Sequence, residues 1–190
     1  LLLGYIIEKV SGQSYQQYMQ THVFTPTGMA STANEPLDPP AEGCAVSYTH
    51  LNPITETETR EWIPATPFNI VESNAAGCTV GSAPDLLRFG RALQSGQLVN
   101  QTLALKLMTG TVQVNPGHSD LQYGYGFFDG ITNGVRHVGH GGVAYGVCAD
   151  FKMLPDLGYT VIVLSNYDPP VAQNLADRII KIIAALEINT

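Results

Sequence analysis

The chain is poor in charge, in cysteine and in long apolar runs, and each shortage narrows what it can be. Only 13% of its 190 residues are charged, with nine Lys and Arg against sixteen Asp and Glu, for a net charge of -7. The basic residues form no run, so nothing is placed to neutralise a phosphate backbone, and nucleic acid is not an expected partner. Cys44, Cys78 and Cys148 are odd in number and far apart, without the close pairing of a zinc site or redox motif. They read as small buried residues and leave the compartment open. No apolar run approaches the roughly 20 residues of a membrane span. The sequence opens at Leu1 inside an apolar periodic segment, with no leader pattern, so further chain is expected upstream.

What is present suffices for one well-buried core, since 44% of the residues are hydrophobic. Leu2, Leu3, Ile6, Ile7 and Val10 recur at helical spacing up to a Ser11-Gly12 stop. Ser14 with Gln17 forms a capping box for a short second helix through Tyr15, Tyr18 and Met19, bounded by Pro26 and Gly28. From about 33 to 76 the chain is rich in Pro, Thr, Asn and Glu, including Pro36, Pro39, Pro40, Pro53, Pro64 and Pro67. This reads as a long irregular excursion, either a solvated loop or a wall of a substrate cleft. Ser82 with Asp85 opens a helix carrying Leu86, Leu87, Phe89 and Leu93, and Asn100 caps another over Gln101 to Met108.

After Gly110 the pattern changes to strands, expected at 123–128, 134–138, 143–153 and 159–165 with short antiparallel connections. The nearly continuous apolar run Tyr159 to Leu164 predicts a central strand covered on both faces. Pro169-Pro170 starts a last helix with a stripe of Leu175, Ile179, Ile182, Ile183 and Leu186. The predicted fold class is α+β: a mostly helical and loop region over 1–110, then antiparallel strands and a terminal helix over 111–190, together one incomplete domain.

The stretch most suggestive of chemistry is Gly139-His140-Gly141-Gly142-Val143, followed by Tyr145-Gly146, a β-type run ending Leu154-Pro155-Asp156, and the apolar strand ending Leu164-Ser165-Asn166. Three upstream pieces accompany it in order: Leu3-Gly4-Tyr5-Ile6-Ile7-Glu8 to Ser11-Gly12, Pro26-Thr27-Gly28-Met29, and Ala76-Gly77 with Ser82-Ala83-Pro84-Asp85-Leu86-Leu87-Arg88-Phe89. Together these resemble the C-terminal portion of serine β-lactamase-like hydrolases of the penicillin-recognition fold, which include class C β-lactamases, D-Ala-D-Ala carboxypeptidases and esterases. In that family a Lys-Thr-Gly or His-Thr-Gly triplet lines the active site. Here the corresponding triplet is His140-Gly141-Gly142.

The resemblance implies an acyl-serine mechanism, in which a Ser nucleophile needs a base and the tetrahedral intermediate needs oxyanion donors. The family's Ser-Xaa-Xaa-Lys and Tyr-Xaa-Asn motifs do not occur in this chain. The nucleophile is therefore expected upstream, and the chain by itself is expected to be inactive. By resemblance the Val143 N–H is one oxyanion donor, and His140 holds the hydrogen-bond network and, when protonated, attracts a substrate carboxylate. Gly141 and Gly142 leave room for substrate against the backbone, and Tyr145 borders the cleft. No cofactor is implied.

Other residues receive plainer readings. His137 and His140 lie three apart on a strand, so their side chains point to opposite faces and no metal site is expected. Tyr123, Tyr125, Phe127 and Phe128 read as strand packing, and Asp120, Asp150 and Asp156 as turn or surface carboxylates. The expected partners are a small-molecule or peptide substrate, with no membrane span. An exposed apolar face would favour oligomers or pairing with an N-terminal segment. A non-catalytic module binding peptides or cell-wall fragments is the alternative, and a purely structural role a third.

Overall fold

The computed structural model describes residues 1–33, 42–52, 54–65, 74–115 and 118–187, the side chains of His118 and Ser119 excepted. Helix α1 (Leu2–Ser11) ends at Gly12, where φ is 70° and the N–H donates to the Glu8 carbonyl, a left-handed cap that glycine adopts without strain. Ser14 caps α2 (Tyr15–Met19): its hydroxyl accepts from the Gln17 N–H, and the Gln17 side chain accepts from the Ser14 N–H. The chain continues through a π-type turn, Gln20–Phe24, into α3 (Thr25–Thr27), so the helical stretch outruns its capping pattern.

The 33–76 stretch, read as irregular, contains an antiparallel hairpin of β1 (Tyr48–Asn52) and β2 (Thr57–Pro64). Pro36, Pro39, Pro40, Pro53 and Pro67 lie outside the described residues. Ser82 then caps α4 (Ala83–Gln94) through the Asp85 N–H. The Asp85 side chain does not complete a capping box. It is fully buried and accepts from the Ser31 N–H at 2.7 Å, the Thr32 hydroxyl at 2.8 Å and the Arg88 guanidinium at 2.6 Å. A buried carboxylate needs such partners, and these tie the segment after α3 to α4. Asn100 caps α5 (Gln101–Met108) as its sequence predicts.

The main sheet has six antiparallel strands in chain order: β3 (Val112–Asn115), β4 (His118–Tyr123), β5 (Phe128–Thr132), β6 (Val135–Ala144), β7 (Val147–Leu154) and β8 (Tyr159–Ser165). On one face Val138, Phe151 and Met153 pack with Leu93, Ala104 and Met108 of α4 and α5. On the other, Leu154 and Val161 pack with Ala176 and Ile180 of α6 (Val171–Glu187). Helices on both faces of an antiparallel sheet are the α+β class that the pattern predicted.

Several sequence expectations need correction. Residues 124–127 are the connection between β4 and β5 rather than strand, because Gly126 adopts φ 94° and Gly124 turns its N–H back to the Phe127 carbonyl. Strand β6 runs through the glycine-rich stretch to Ala144, and the chain reverses at Tyr145-Gly146, inside the segment 143–153 that the sequence predicts as one strand. Strand β8 is the last in the described sheet, not central; its apolar run is explained by helices on its two faces, not by two neighbouring strands. In α6 the fully covered row is Ala172, Ala176, Ile180 and Ala184, a line of mostly small residues that lets the helix approach the sheet, while Leu175, Ile182 and Leu186 stay exposed. Cys148 is buried as expected, whereas Cys44 and Cys78 are half-buried; all three are free.

Candidate active-site edge

Strand β5 pairs with β6 from Thr132↔Val135 to Phe128↔Gly139, whereas β7 follows β6 all the way to Ala144↔Val147. Among the described residues, 140–144 therefore have a ladder partner on one side only. The two-residue turn Tyr145-Gly146 closes on Ala144 and Val147, which makes that pair a hydrogen-bonded one. Antiparallel alternation then turns the N–H and C=O of Gly142 and His140 toward β7, and those of Val143 and Gly141 to the open side. Gly139, next in the alternation, faces the same way as Gly141 and there meets Phe128.

The side chains alternate too. His140 and Gly142 share the face toward α4 and α5, and the imidazole packs on Phe128 at a centroid distance of 4.9 Å and on Tyr123 at 5.9 Å. Those two rings meet edge to face at 4.9 Å. Sequence reasoning assigned Tyr123 and Phe128 to generic packing; only their register opposite Gly139 reveals that they flank His140. Nδ1 of His140 contacts the Gly141 carbonyl, which can only accept, so Nδ1 carries the hydrogen. Nε2 remains as an acceptor in the neutral ring and a donor in the protonated one. Beside His140 lies a cavity of about 330 Å³, lined mainly by Leu86, Phe89, Phe127, Phe151 and Leu164. A larger open hollow of about 590 Å³, between α4 and the β7–β8 turn, involves none of the candidate residues.

The two glycines of the triplet are small for different reasons. A Cβ on Gly142 would meet nothing within 4 Å, whereas one on Gly141 would press on the Ala149 carbonyl at 3.1 Å and the Gln173 amide at 3.3 Å. Gly141 thus serves packing against α6, and Gly142 leaves open space on the His140 side. The Val143 side chain is 63% exposed. Tyr145 sits in the turn itself, next to Gly146, whose φ of 63° and close approach to the Tyr48 backbone at 2.6 Å exclude a side chain.

Two carboxylates that sequence reasoning missed or misplaced hold this strand. Asp150, read as a surface group, is buried opposite Gly141, and Lys152 bridges it at 3.0 Å to Asp177 of α6 at 2.6 Å. Burial pushes the Asp150 carboxyl above its usual range, despite Lys152. Burial also works against the Lys152 ammonium, but its bonds to Asp177 and Asp150 outweigh that and raise it. His137 lies on this inner face, bonded to the Thr132 hydroxyl, and burial followed by the Lys152 charge lowers its pKa. His137 and His140 are on opposite faces as expected, and the described residues contain no cluster of three metal-ligating side chains.

Asp168, in the loop after β8, accepts from the His50 N–H at 2.8 Å, the Thr49 hydroxyl at 3.0 Å and the Gly146 N–H at 2.8 Å. Burial alone would raise its carboxyl, but these hydrogen bonds outweigh it and hold the pKa below the usual carboxylate range. One side chain thus fastens the β1–β2 hairpin to the turn that ends β6. No local pattern marks it, because its partners lie more than 20 residues away.

Residues 1–185 match the family model described as Beta-lactamase. PbpX of Bacillus subtilis (strain 168), named as a penicillin-binding protein, is 30% identical over 166 residues, which are 86% of this chain and 37% of the relative. The penicillin binding protein from Bacillus halodurans superposes with a TM-score of 0.80 at 26% identity, over 97% of this chain and 53% of that one. A D-stereospecific amidohydrolase from Streptomyces sp. gives 0.72 at 26% identity, over 87% and 47%. The octameric penicillin-binding protein homologue from Pyrococcus abyssi, at 24% identity and a TM-score of 0.78, shares the fold. The chain therefore spans between about a third and a half of these relatives' lengths.

Proposed function

Because the chain belongs to the Beta-lactamase family of serine hydrolases, we propose that it forms the C-terminal part of an enzyme that cleaves esters or amides through an acyl-serine intermediate. The substrate class is a β-lactam, a D-alanyl peptide or a short ester, and the similarity to a D-stereospecific amidohydrolase favours the amide. The observation that carries this reading is the open edge of β6. There an extended acyl group can add to the backbone of Gly141 and Val143 as one more strand would.

In this reading the scissile carbonyl oxygen lies at the Val143 N–H, a donor fixed by β7 before substrate arrives, which is the preorganisation that stabilises a developing oxyanion. The His140 imidazole, held between Phe128 and Tyr123, presents Nε2 to the hydroxyl network or to a substrate carboxylate. Gly142 keeps the cleft side clear, and Tyr145 borders it. The nucleophile and its base come from sequence outside these 190 residues. The exposed side chains of Leu1 and, on α1, of Leu2, Leu3, Ile6 and Val10 support association of this apolar surface with further polypeptide or another copy.

The test is to treat this chain and a version extended upstream with a fluorophosphonate probe, and to map the labelled residue by mass. Label on an upstream Ser of the longer protein alone is the expected result. Label within residues 1–190 would place the nucleophile elsewhere, and absence of label on both would favour a binding module without catalysis.

A further inference from the structure

The lane beside the open half of β6 is blocked at one end. Strand β5 occupies this lane as far as Phe128, opposite Gly139, and among the described residues nothing pairs with that side of β6 beyond it. A chain lying along residues 140–144 therefore continues the line of β5 and meets the Phe128 backbone head on. The block is firm. In the connection that leads into Phe128, the Tyr125 N–H donates to the Leu107 carbonyl of α5 at 3.1 Å, and the Gly124 N–H donates to the Phe127 carbonyl at 2.8 Å. A Cβ on Gly124 would come within 2.6 Å of the Leu107 carbonyl and 2.7 Å of the Thr109 carbonyl, which leaves the connection no room to retreat toward α5. The Phe128 ring is held edge to face on Tyr123 and lies against His140. At the other end β6 stops at Ala144 and the chain turns away into β7, so no strand of the described sheet closes the lane there.

The bonding pattern gives a direction to whatever chain fills the lane. Val143 turns both its N–H and its C=O to the open side, and so does Gly141. In antiparallel pairing one residue of the added chain exchanges both bonds with Val143: its carbonyl accepts from the Val143 N–H, and its N–H donates to the Val143 carbonyl. This is the polarity of β5 in the same lane and of every pair in the six-stranded sheet. A parallel chain would divide its bonds between the Gly141 carbonyl and the Val143 N–H, in the slanted and slightly less stable pattern. With the reacting carbonyl at Val143, an antiparallel chain runs from Ala144 toward His140. Its acyl side leaves by the open end, and its leaving group faces the block. The strand positions between are those opposite Gly142, Gly141 and His140. A residue at the last of these would sit one strand rise, about 3.3 Å, from Phe128, a spacing that only covalently joined neighbours tolerate.

We propose that Phe128 and the anchored connection before it act as a stop, so that the site cleaves only bonds within about two residues of a substrate's C-terminal end. The substrate is then an amide or peptide with an unrestricted acyl side and a short leaving side, not the interior of a long chain. This rests on β6 being the substrate strand with the reacting carbonyl at Val143. Of the two open residues, Val143 takes the acyl side and Gly141 the leaving side.

The experiment incubates the upstream-extended protein with the N-acetylated hexamer of D-alanine and identifies the earliest fragments by mass. The expected unacetylated fragments are D-alanine and its dimer, in at least about hundredfold excess over longer ones, because displacing a reacting group by even 1 Å costs about that much in rate. Shortening the acyl side, by using the N-acetylated tetramer, should leave the rate of D-alanine release nearly unchanged. Unacetylated trimer or tetramer among the early products would overturn the stop. So would a limit on the acetylated fragment instead, which marks a substrate lying parallel to β6. Fluorophosphonate labelling of the same sample separates the two claims. A labelled enzyme that releases long fragments, or none, keeps the acyl-serine reading and loses the stop, whereas absence of both label and cleavage overturns both.

Discussion

The two halves of β6 have the same backbone and opposite surroundings. In Val135–Gly139 the strand is paired with β5 throughout and with β7 as well at Val138 and Gly139, His137, Val138 and Gly139 are buried, and a Cβ on Gly139 would collide with the Phe151 carbonyl. In His140–Ala144 the β5 neighbour has ended, Gly142 has open space, and Val143 is exposed. The difference teaches that a strand can be locked at one end so that its other end can offer backbone to a ligand. The proposed site occupies the half where the described ladder is incomplete.

The largest effect expected from testing this contrast comes from putting the same side chain in each half. Gly139→Val should cost at least about 3 kcal/mol, because overpacking against backbone cannot be relieved by a rotamer change, and the chain should be largely unfolded by circular dichroism. Gly142→Val should shift the urea midpoint by no more than about 0.5 kcal/mol equivalent. If both destabilise alike, the second half is not open.

Next in size is the lock behind the strand. Lys152→Met leaves Asp150 buried without its cation, and removal of one partner of a buried pair costs about 3 kcal/mol. Adding Asp150→Leu should recover part of that loss, measured by the same unfolding midpoints.

Asp168→Asn should cost about 1–2 kcal/mol through weakened hydrogen bonds to His50, Thr49 and Gly146. Its folded pKa is depressed, so its contribution is present above the unfolded carboxylate pKa and is lost as pH falls through the lower folded value. The wild-type chain should therefore lose stability in acid below the ordinary carboxylate range more steeply than Asp168→Asn does. Equal acid limbs would show that the carboxylate is not held as described.

The smallest effect leaves the fold untouched. In hydrogen exchange the amides of Gly141 and Val143 should exchange at least about tenfold faster than those of His140 and Gly142, which donate into the β7 ladder. Uniform protection from 140 to 143 would mean that the open side is covered.

The family and fold class were legible because capping pairs such as Ser14 with Gln17, and the order of the glycine-rich stretch before an apolar strand, are local signals. His140 and Val143 were assigned to the proposed site through resemblance alone. The turn at Tyr145-Gly146 was not placed, because Gly141 and Gly142 weaken the strand signal just where β6 continues, and β7 supplies the missing order. Asp150 stayed hidden because charge predicts surface and only a tertiary partner such as Lys152 makes its burial tolerable, and the half-buried Asp168 because its partners, the Gly146 N–H among them, are distant in sequence. The α6 stripe was misjudged because leucine and isoleucine outweigh alanine in any hydrophobic count, while close packing on the sheet selects the small residues Ala172, Ala176 and Ala184.

The most direct test of the open edge as the reacting edge is Val143→Pro in the upstream-extended protein. Proline removes the Val143 N–H, and an N–H facing away from the ladder is one a strand can lose without breaking its pairing. The account predicts fluorophosphonate labelling slowed by at least about a hundredfold, the usual cost of a lost oxyanion donor, with little change in the unfolding midpoint. An unchanged labelling rate in a folded Val143→Pro protein would contradict it.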